Sequence, residues 1–183
     1  MANSVQIQAS DTILHSKIQN RLIEAGHSQI SAIGNPAILQ NPLVAFFCST
    51  KCTGEAVLST FEAVRNLRDA GVTLIGGFHS PMEMECLDLL LRGTQPIVVC
   101  PARSITEYRH PSAWKSPIEQ NRLLVLSTFP PSQKSPTAKQ CELRNELVAA
   151  LADSILVAHA GCRYRAEFLV GPSRNFWEFV VRR

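Results

Sequence analysis

Five short apolar runs punctuate this chain: Leu43–Phe47, Val72–Ile75, Ile97–Cys100, Leu123–Leu126 and Ile155–Ala158. Each is continuous rather than alternating, the pattern of strands buried on both faces. Helical spacing fills the gaps. Val57, Leu58, Phe61, Val64 and Leu67 mark one face of a helix that Gly71 ends. Ser80-Pro81 with Glu83 opens a second helix. Ser80 suits the N-cap, Pro81 the first helical position and Glu83 the N3 place of a capping box. Leu87, Leu90 and Leu91 form its inner face, and Gly93 stops it. A short helix is expected around Ala113–Gln120. A longer one is expected over Thr137–Leu151, with Leu143, Leu147, Val148 and Leu151 inward, and a last segment over Tyr164–Val170. Strands alternating with helices predict an α/β fold: a sandwich with a mainly parallel sheet and right-handed crossovers.

The first forty residues read differently. Residues 1–9 are polar and expected to fray. From Asp11 to Ala25, Ile13, Leu14, Ile18 and Leu22 recur at helical spacing, and Gly26 breaks the pattern. Ile30–Ile33 suits a short strand, Gly34-Asn35-Pro36 a turn, and Ile38-Leu39 a packed segment before Pro42. The expected division is an N-terminal helical extension over 1–30 and one domain over 31–183.

Composition narrows the function classes. The chain has 183 residues, 45% of them apolar, which suits one domain with a full core. A formal charge of +3 permits an anionic partner without demanding one. Basic residues gather late: Arg163, Arg165, Arg174, Arg182 and Arg183 face only Glu167 and Glu178. The six cysteines form no CxxC pair and no zinc-ligand spacing, so free thiols are expected and no metal site. No signal-peptide pattern opens the chain, and no apolar run approaches the roughly 20 residues that span a bilayer. The expected compartment is the reducing cytoplasm.

Candidate chemistry gathers where the apolar runs end. Parallel α/β sheets bind ligands at the carboxyl ends of their strands, where the strand order reverses. Leu43–Phe47 stops in Cys48-Ser49-Thr50-Lys51 ahead of a helix. Free backbone N–H groups and the helix dipole at such a junction favour an anion, and Lys51 adds charge. An ordinary capped turn fits the same residues. Gly76-Gly77 allows either close backbone approach to a ligand or a tight turn. Beside it, His79 and Glu83 form a conceivable acid–base pair, although the capping box already accounts for Glu83. Arg144-Asn145 sits between Glu142 and Glu146. Arg144 can pair along its own helix or turn toward the strand ends and hold a phosphate; spacing leaves both open. Arg103, Tyr108, Arg109, Trp114 and Lys115 interleave cations with aromatics. That suits unstacked bases on a phosphodiester, or a solvated segment with one aromatic in the core. The dinucleotide fingerprint GxGxxG, the GxxxxGK[ST] phosphate loop and the GxSxG elbow are all absent.

Five of these stretches, in order, resemble the DNA-processing protein A (DprA/Smf) family. Gly34-Asn35-Pro36-Ala37-Ile38-Leu39 with Pro42 resembles its Gly-Asn-x-x-Leu-Leu-x-x-Pro lead-in. Cys48-Ser49-Thr50 stands where its first strand ends in Gly-Ser-Arg, and Gly76-Gly77 where its second ends in Ser-Gly. Ser127-Thr128-Phe129-Pro130-Pro131 is similar to its Ser-Glu-Phe-Pro-Pro. Arg144-Asn145 through Leu151 and Asp153 match its Arg-Asn step and the residues after it. Thr50 replaces the family arginine, so Lys51 would take that charge. Cys162-Arg163-Tyr164-Arg165 replaces a Ser-Gly-Ser phosphate loop.

The resemblance implies a Rossmann-like three-layer sandwich over 31–183. It also implies binding of single-stranded DNA, usually by a homodimer, in support of a strand-exchange recombinase. This is DNA processing and recombination by binding, with no covalent catalysis and no cofactor. The phosphate contacts so implied are Ser49, Thr50, Lys51, Gly76, Gly77, Arg103, Arg144, Asn145 and Arg163. Two alternatives share the groove. One is a sensor or carrier of a small nucleotide. The other is a nucleotide N-glycosidic hydrolase with Glu83 as the acid–base group, although the Pro-Gly-Gly-x-Gly-Thr loop of the related phosphoribohydrolases is missing.

Overall fold

The computed structural model describes residues 4–12, 14–49 and 54–159. Among these, seven strands form one sheet: β1 (Val5–Gln8), β2 (Gln29–Ile33), β3 (Leu43–Cys48), β4 (Thr73–Gly76), β5 (Ile97–Val99), β6 (Leu123–Ser127) and β7 (Ser154–His159). The helices are α1 (Ser16–Glu24), α2 (Gly54–Asp69), α3 (Pro81–Leu91), α4 (Lys115–Glu119) and α5 (Ala138–Leu151). The spatial order is β1-β2-β6-β5-β4-β3-β7. The five expected strands pair in parallel, while β1 and β2 add an antiparallel edge beside β6. This is the α/β sandwich that the apolar runs predict.

Continuous apolar strands serve two cores at once. Along β3, Leu43, Ala45 and Phe47 join Ile18 and Leu22 of α1 and Leu147, Val148 and Leu151 of α5. Phe46 and Cys48 point the other way, to Val64 of α2, Met82, Cys86, Leu87 and Leu90 of α3, and Ile118 of α4. The chain moves outward from β3 through β4 and β5 to β6, then returns by α5 to place β7 on the other side of β3. The order therefore reverses at β3, and ligand clefts in such sheets lie at that point.

Several expectations need correction. Residues 5–8 do not fray: β1 pairs with β2, from Val5 opposite Ala32 to Gln8 opposite Gln29. Helix α1 starts at Ser16 rather than Asp11. The Asp11 carboxylate instead accepts the Gln8 N–H at 2.9 Å, closing a turn after β1. Leu58 and Leu143, expected inward, are 69% and 41% exposed. The expected helix over 164–170 lies outside the described residues. Among the described residues, no helix is long and apolar enough to cross a membrane.

Candidate nucleic-acid interface at the strand ends

Because β3 to β7 run parallel, their carboxyl ends meet along one crest. Cys48, Gly76, Val99, Ser127 and His159 close those strands. Helix α5 delivers a cation to this crest. Thr137 caps α5, with its hydroxyl accepting Gln140 N–H and the Gln140 side chain accepting Thr137 N–H. The buried stripe of α5 runs Arg144, Leu147, Val148, Leu151. That is the i, i+3, i+4, i+7 spacing of a core face, with arginine in its first place. Leu143 sits one position out of phase.

Arg144 is only 5% exposed. Its Nη1 donates to the Cys100 carbonyl at 3.1 Å, and its Nε donates to Asn145 Oδ1 at 2.7 Å. Among the described residues, no carboxylate lies within ion-pair distance of it. The guanidinium also presses on Gly77, where any Cβ would overlap it. Burial pushes the Cys100 thiol up to about 12, although the Arg144 charge pulls the other way. Asn145 thus orients Arg144, and Gly77 leaves room for it.

The turn beside this cation is held by Glu83. Ser80 and Glu83 form the expected capping box of α3. Beyond that, Glu83 Oε1 accepts Cys48 N–H at 3.0 Å, and Oε2 accepts His79 N–H at 2.8 Å and Ser80 N–H at 3.2 Å. One buried carboxylate therefore joins the end of β3 to the loop after β4. It takes up the backbone donors at the end of β3 and at the start of α3. Phe78 takes a left-handed φ of 46° in this loop and stacks its ring 6.2 Å from that of Phe46.

The loop after β5 carries the second cation. Its backbone is pinned: Ser127 Oγ donates to the Arg103 carbonyl at 2.7 Å, and Ser104 N–H donates to the Gln133 carbonyl at 2.7 Å. The Arg103 guanidinium lies 5.2 Å from the centre of the Tyr108 ring. Tyr108 in turn lies 6.4 Å from buried Trp114. Burial raises the Tyr108 phenol above its ordinary range, and the Arg103 charge offsets part of that. Arg109 and Lys115 are exposed.

Of the expected phosphate contacts, the fold brings Gly76, Gly77, Arg144 and Asn145 together beneath the crest. Buried Ser49 follows β3, and Arg103 stands on the loop after β5. Thr50, Lys51 and Arg163 lie outside the described residues. The bridge from Glu83 to Cys48 escaped the sequence reading, since it depends on β3 and β4 being neighbours. The inward turn of Arg144 had a signal in its spacing to Leu147, Val148 and Leu151.

Comparison with known proteins places this architecture. The chain is similar to the X-ray structure of DNA processing protein A from Streptococcus pneumoniae, with a TM-score of 0.68 at 19% identity. That match covers 87% of this chain and 55% of the other, so this chain spans about half its relative's length. It is also similar to DNA processing protein A from Helicobacter pylori, a structure described for its single-stranded DNA binding mode. There the TM-score is 0.60 at 19% identity, covering 86% of this chain and 71% of the other. No curated protein sequence matches the chain. The sequence model described as DNA recombination-mediator protein A matches residues 16–164, which is most of the molecule. With that span matched, and the strand-end crest built as above, the chain belongs to the DNA recombination-mediator protein A family.

Proposed function

We propose that this chain binds single-stranded DNA along the strand-end crest, with Arg144 as the central phosphate contact. One observation carries the reading: Arg144 is only 5% exposed, and its guanidinium has no carboxylate partner among the described residues. Burying a charge without a counterion is costly, and an anion at the crest would supply one. Gly77 leaves the space that the guanidinium occupies, and Arg103 extends the positive surface toward β6. Thr50, Lys51 and Arg163 are assigned to the same polyanion from their places after β3 and β7. The single-stranded DNA binding mode described for the Helicobacter pylori relative supports this choice of ligand.

The assigned activity is binding in DNA processing, as a homodimer that serves a recombinase, without covalent catalysis. Support for the last point comes from Glu83, whose two oxygens already accept three backbone N–H groups. A fluorescence-anisotropy titration with labelled oligothymidine tests the reading. Affinity should fall steeply as salt rises, because each phosphate contact releases counterions. Arg144→Met should weaken binding by about tenfold or more. No affinity for the oligomer at low salt, or tighter binding of a mononucleotide, would remove it.

A further inference from the structure

We infer that Arg103, Tyr108 and Trp114 form a stacking platform for an unpaired nucleobase of the bound strand. The inference rests on the DNA-binding reading and adds to it a place where bases, rather than phosphates, are held. The three side chains form a series from the core outward. Trp114 is 8% exposed and packs in the core that α2, α3 and α4 share. Tyr108 is half-buried, its ring tilted by 50° against Trp114. Arg103 lies over Tyr108 and is only partly buried.

The chemistry of Arg103 differs from that of a surface arginine in an ion pair. Among the described residues it has no carboxylate partner, and its Nε is buried without a hydrogen-bond acceptor. An aromatic face therefore seats this guanidinium. The seat is rigid as well: Ala102, Ser104 and Ile105 around it are buried, and the Arg103 carbonyl is held by Ser127. A planar cation held over an aromatic ring offers a sequence-tolerant surface to a base, since every base has a π-face. Phosphate needs no such aromatic support.

The position fits a strand already anchored by Arg144. The Cys100 carbonyl that holds Arg144 is three residues before Arg103, so the Cα atoms of Cys100 and Arg103 are at most about 11 Å apart. Arg144 would hold the backbone while Arg103 takes a neighbouring base.

The test compares two ligands of equal length: oligothymidine, and an abasic oligomer with the same phosphates. Arg103→Lys keeps the charge and removes the stacking plane. Tyr108→Leu removes the seat, with its fold checked by thermal melting. Wild type should prefer oligothymidine. Arg103→Lys should lose about 5- to 30-fold affinity for oligothymidine and clearly less for the abasic oligomer, because the retained charge still meets the phosphates. Equal loss on both ligands, or no loss on either, overturns the platform and leaves the phosphate reading standing. If wild type binds neither ligand, the DNA-binding reading fails and the platform goes with it.

Discussion

The Arg144 guanidinium fills the space that a side chain at Gly77 would occupy. The two residues come from different elements, α5 and the loop after β4, so they have to be matched. In Gly77→Ala the obstacle is the far end of a flexible side chain, so Arg144 should swing aside rather than force the backbone to move. It would lose its bond to the Cys100 carbonyl, worth about 1 kcal/mol. Gly77→Ala should therefore cost only about 1–2 kcal/mol in urea unfolding, yet weaken oligothymidine binding as far as Arg144→Met does. Gly76→Ala is the control. Its Cβ would meet the Phe46 carbonyl at 3.1 Å and the Phe78 ring at 3.2 Å, away from the guanidinium. It should lower stability and weaken binding less than Gly77→Ala does. Equal binding loss in both variants would detach Gly77 from Arg144.

Glu83 makes a different kind of link. Its carboxylate accepts from Cys48, His79 and Ser80, and the Cys48 bond is buried. In Glu83→Gln one acceptor oxygen becomes an NH2 group aimed at a backbone N–H. A buried donor left unsatisfied costs about 1–3 kcal/mol, and a charge-assisted bond is lost as well. Stability should drop by about 2–3 kcal/mol in chemical denaturation, and Glu83→Ala should lose at least as much. A Gln variant as stable as wild type would show that the bridge carries little.

These relationships differ in how far the chain alone reveals them. The strands β3 to β7 were legible because residues facing both cores must be apolar, as Ala45 and Phe46 show side by side. Strand β1 was not: only Ile7 of its four residues is buried, so Gln6 and Gln8 made the segment read as polar tail. Its antiparallel placement depends on partners that no local pattern names. In α5, hydrophobicity favoured Leu143 for the inner face, but the stripe that packs begins at Arg144. A cation in a core slot defeats an apolar template, and such a slot is where function tends to override packing. The capping box of α3 was legible because all its parts lie within four residues. The reach of Glu83 to Cys48 crosses 35 positions and required the sheet order.

Asp153 gives the fold an acid-sensitive joint. Its Oδ1 bonds Lys17 and Arg21 of α1, its Oδ2 accepts Leu43 N–H at 2.9 Å, and its own N–H donates to the Leu43 carbonyl at 2.7 Å. Burial alone would raise this carboxyl. The bonds from Lys17, Leu43 and Arg21 outweigh burial and hold it below the ordinary 3.8. As pH falls, the unfolded chain takes up this proton first. The stabilisation is thus complete above about 4 and is lost as pH drops through the lowered folded value. Asp153→Asn should flatten the acid limb of a stability-versus-pH curve. It should also cost about 1–3 kcal/mol at neutral pH, since the Leu43 N–H and Arg21 lose a charged acceptor. An unchanged acid limb would place the sensitivity elsewhere.

Cys100 should act at the opposite end of the pH scale. It is fully buried against the Gly76 carbonyl, to which its N–H donates at 2.8 Å, and burial lifts its thiol from 9.0 to about 12. The folded state therefore keeps the proton while the unfolded chain releases it above about 9. Stability from this group is whole below pH 9 and declines as pH climbs toward 12. Since the thiolate is the nucleophile, iodoacetamide at pH 8 should leave Cys100 unmodified in the native protein, while the partly exposed Cys141 reacts. Peptide mapping after a timed pulse reads this directly. Adding oligothymidine should not change Cys100 labelling, because the thiol is already fully buried in the core that α1 and α5 share. Rapid native-state alkylation of Cys100 would mean that the floor beneath Arg144 opens, and the geometry that fixes the guanidinium would not hold in solution.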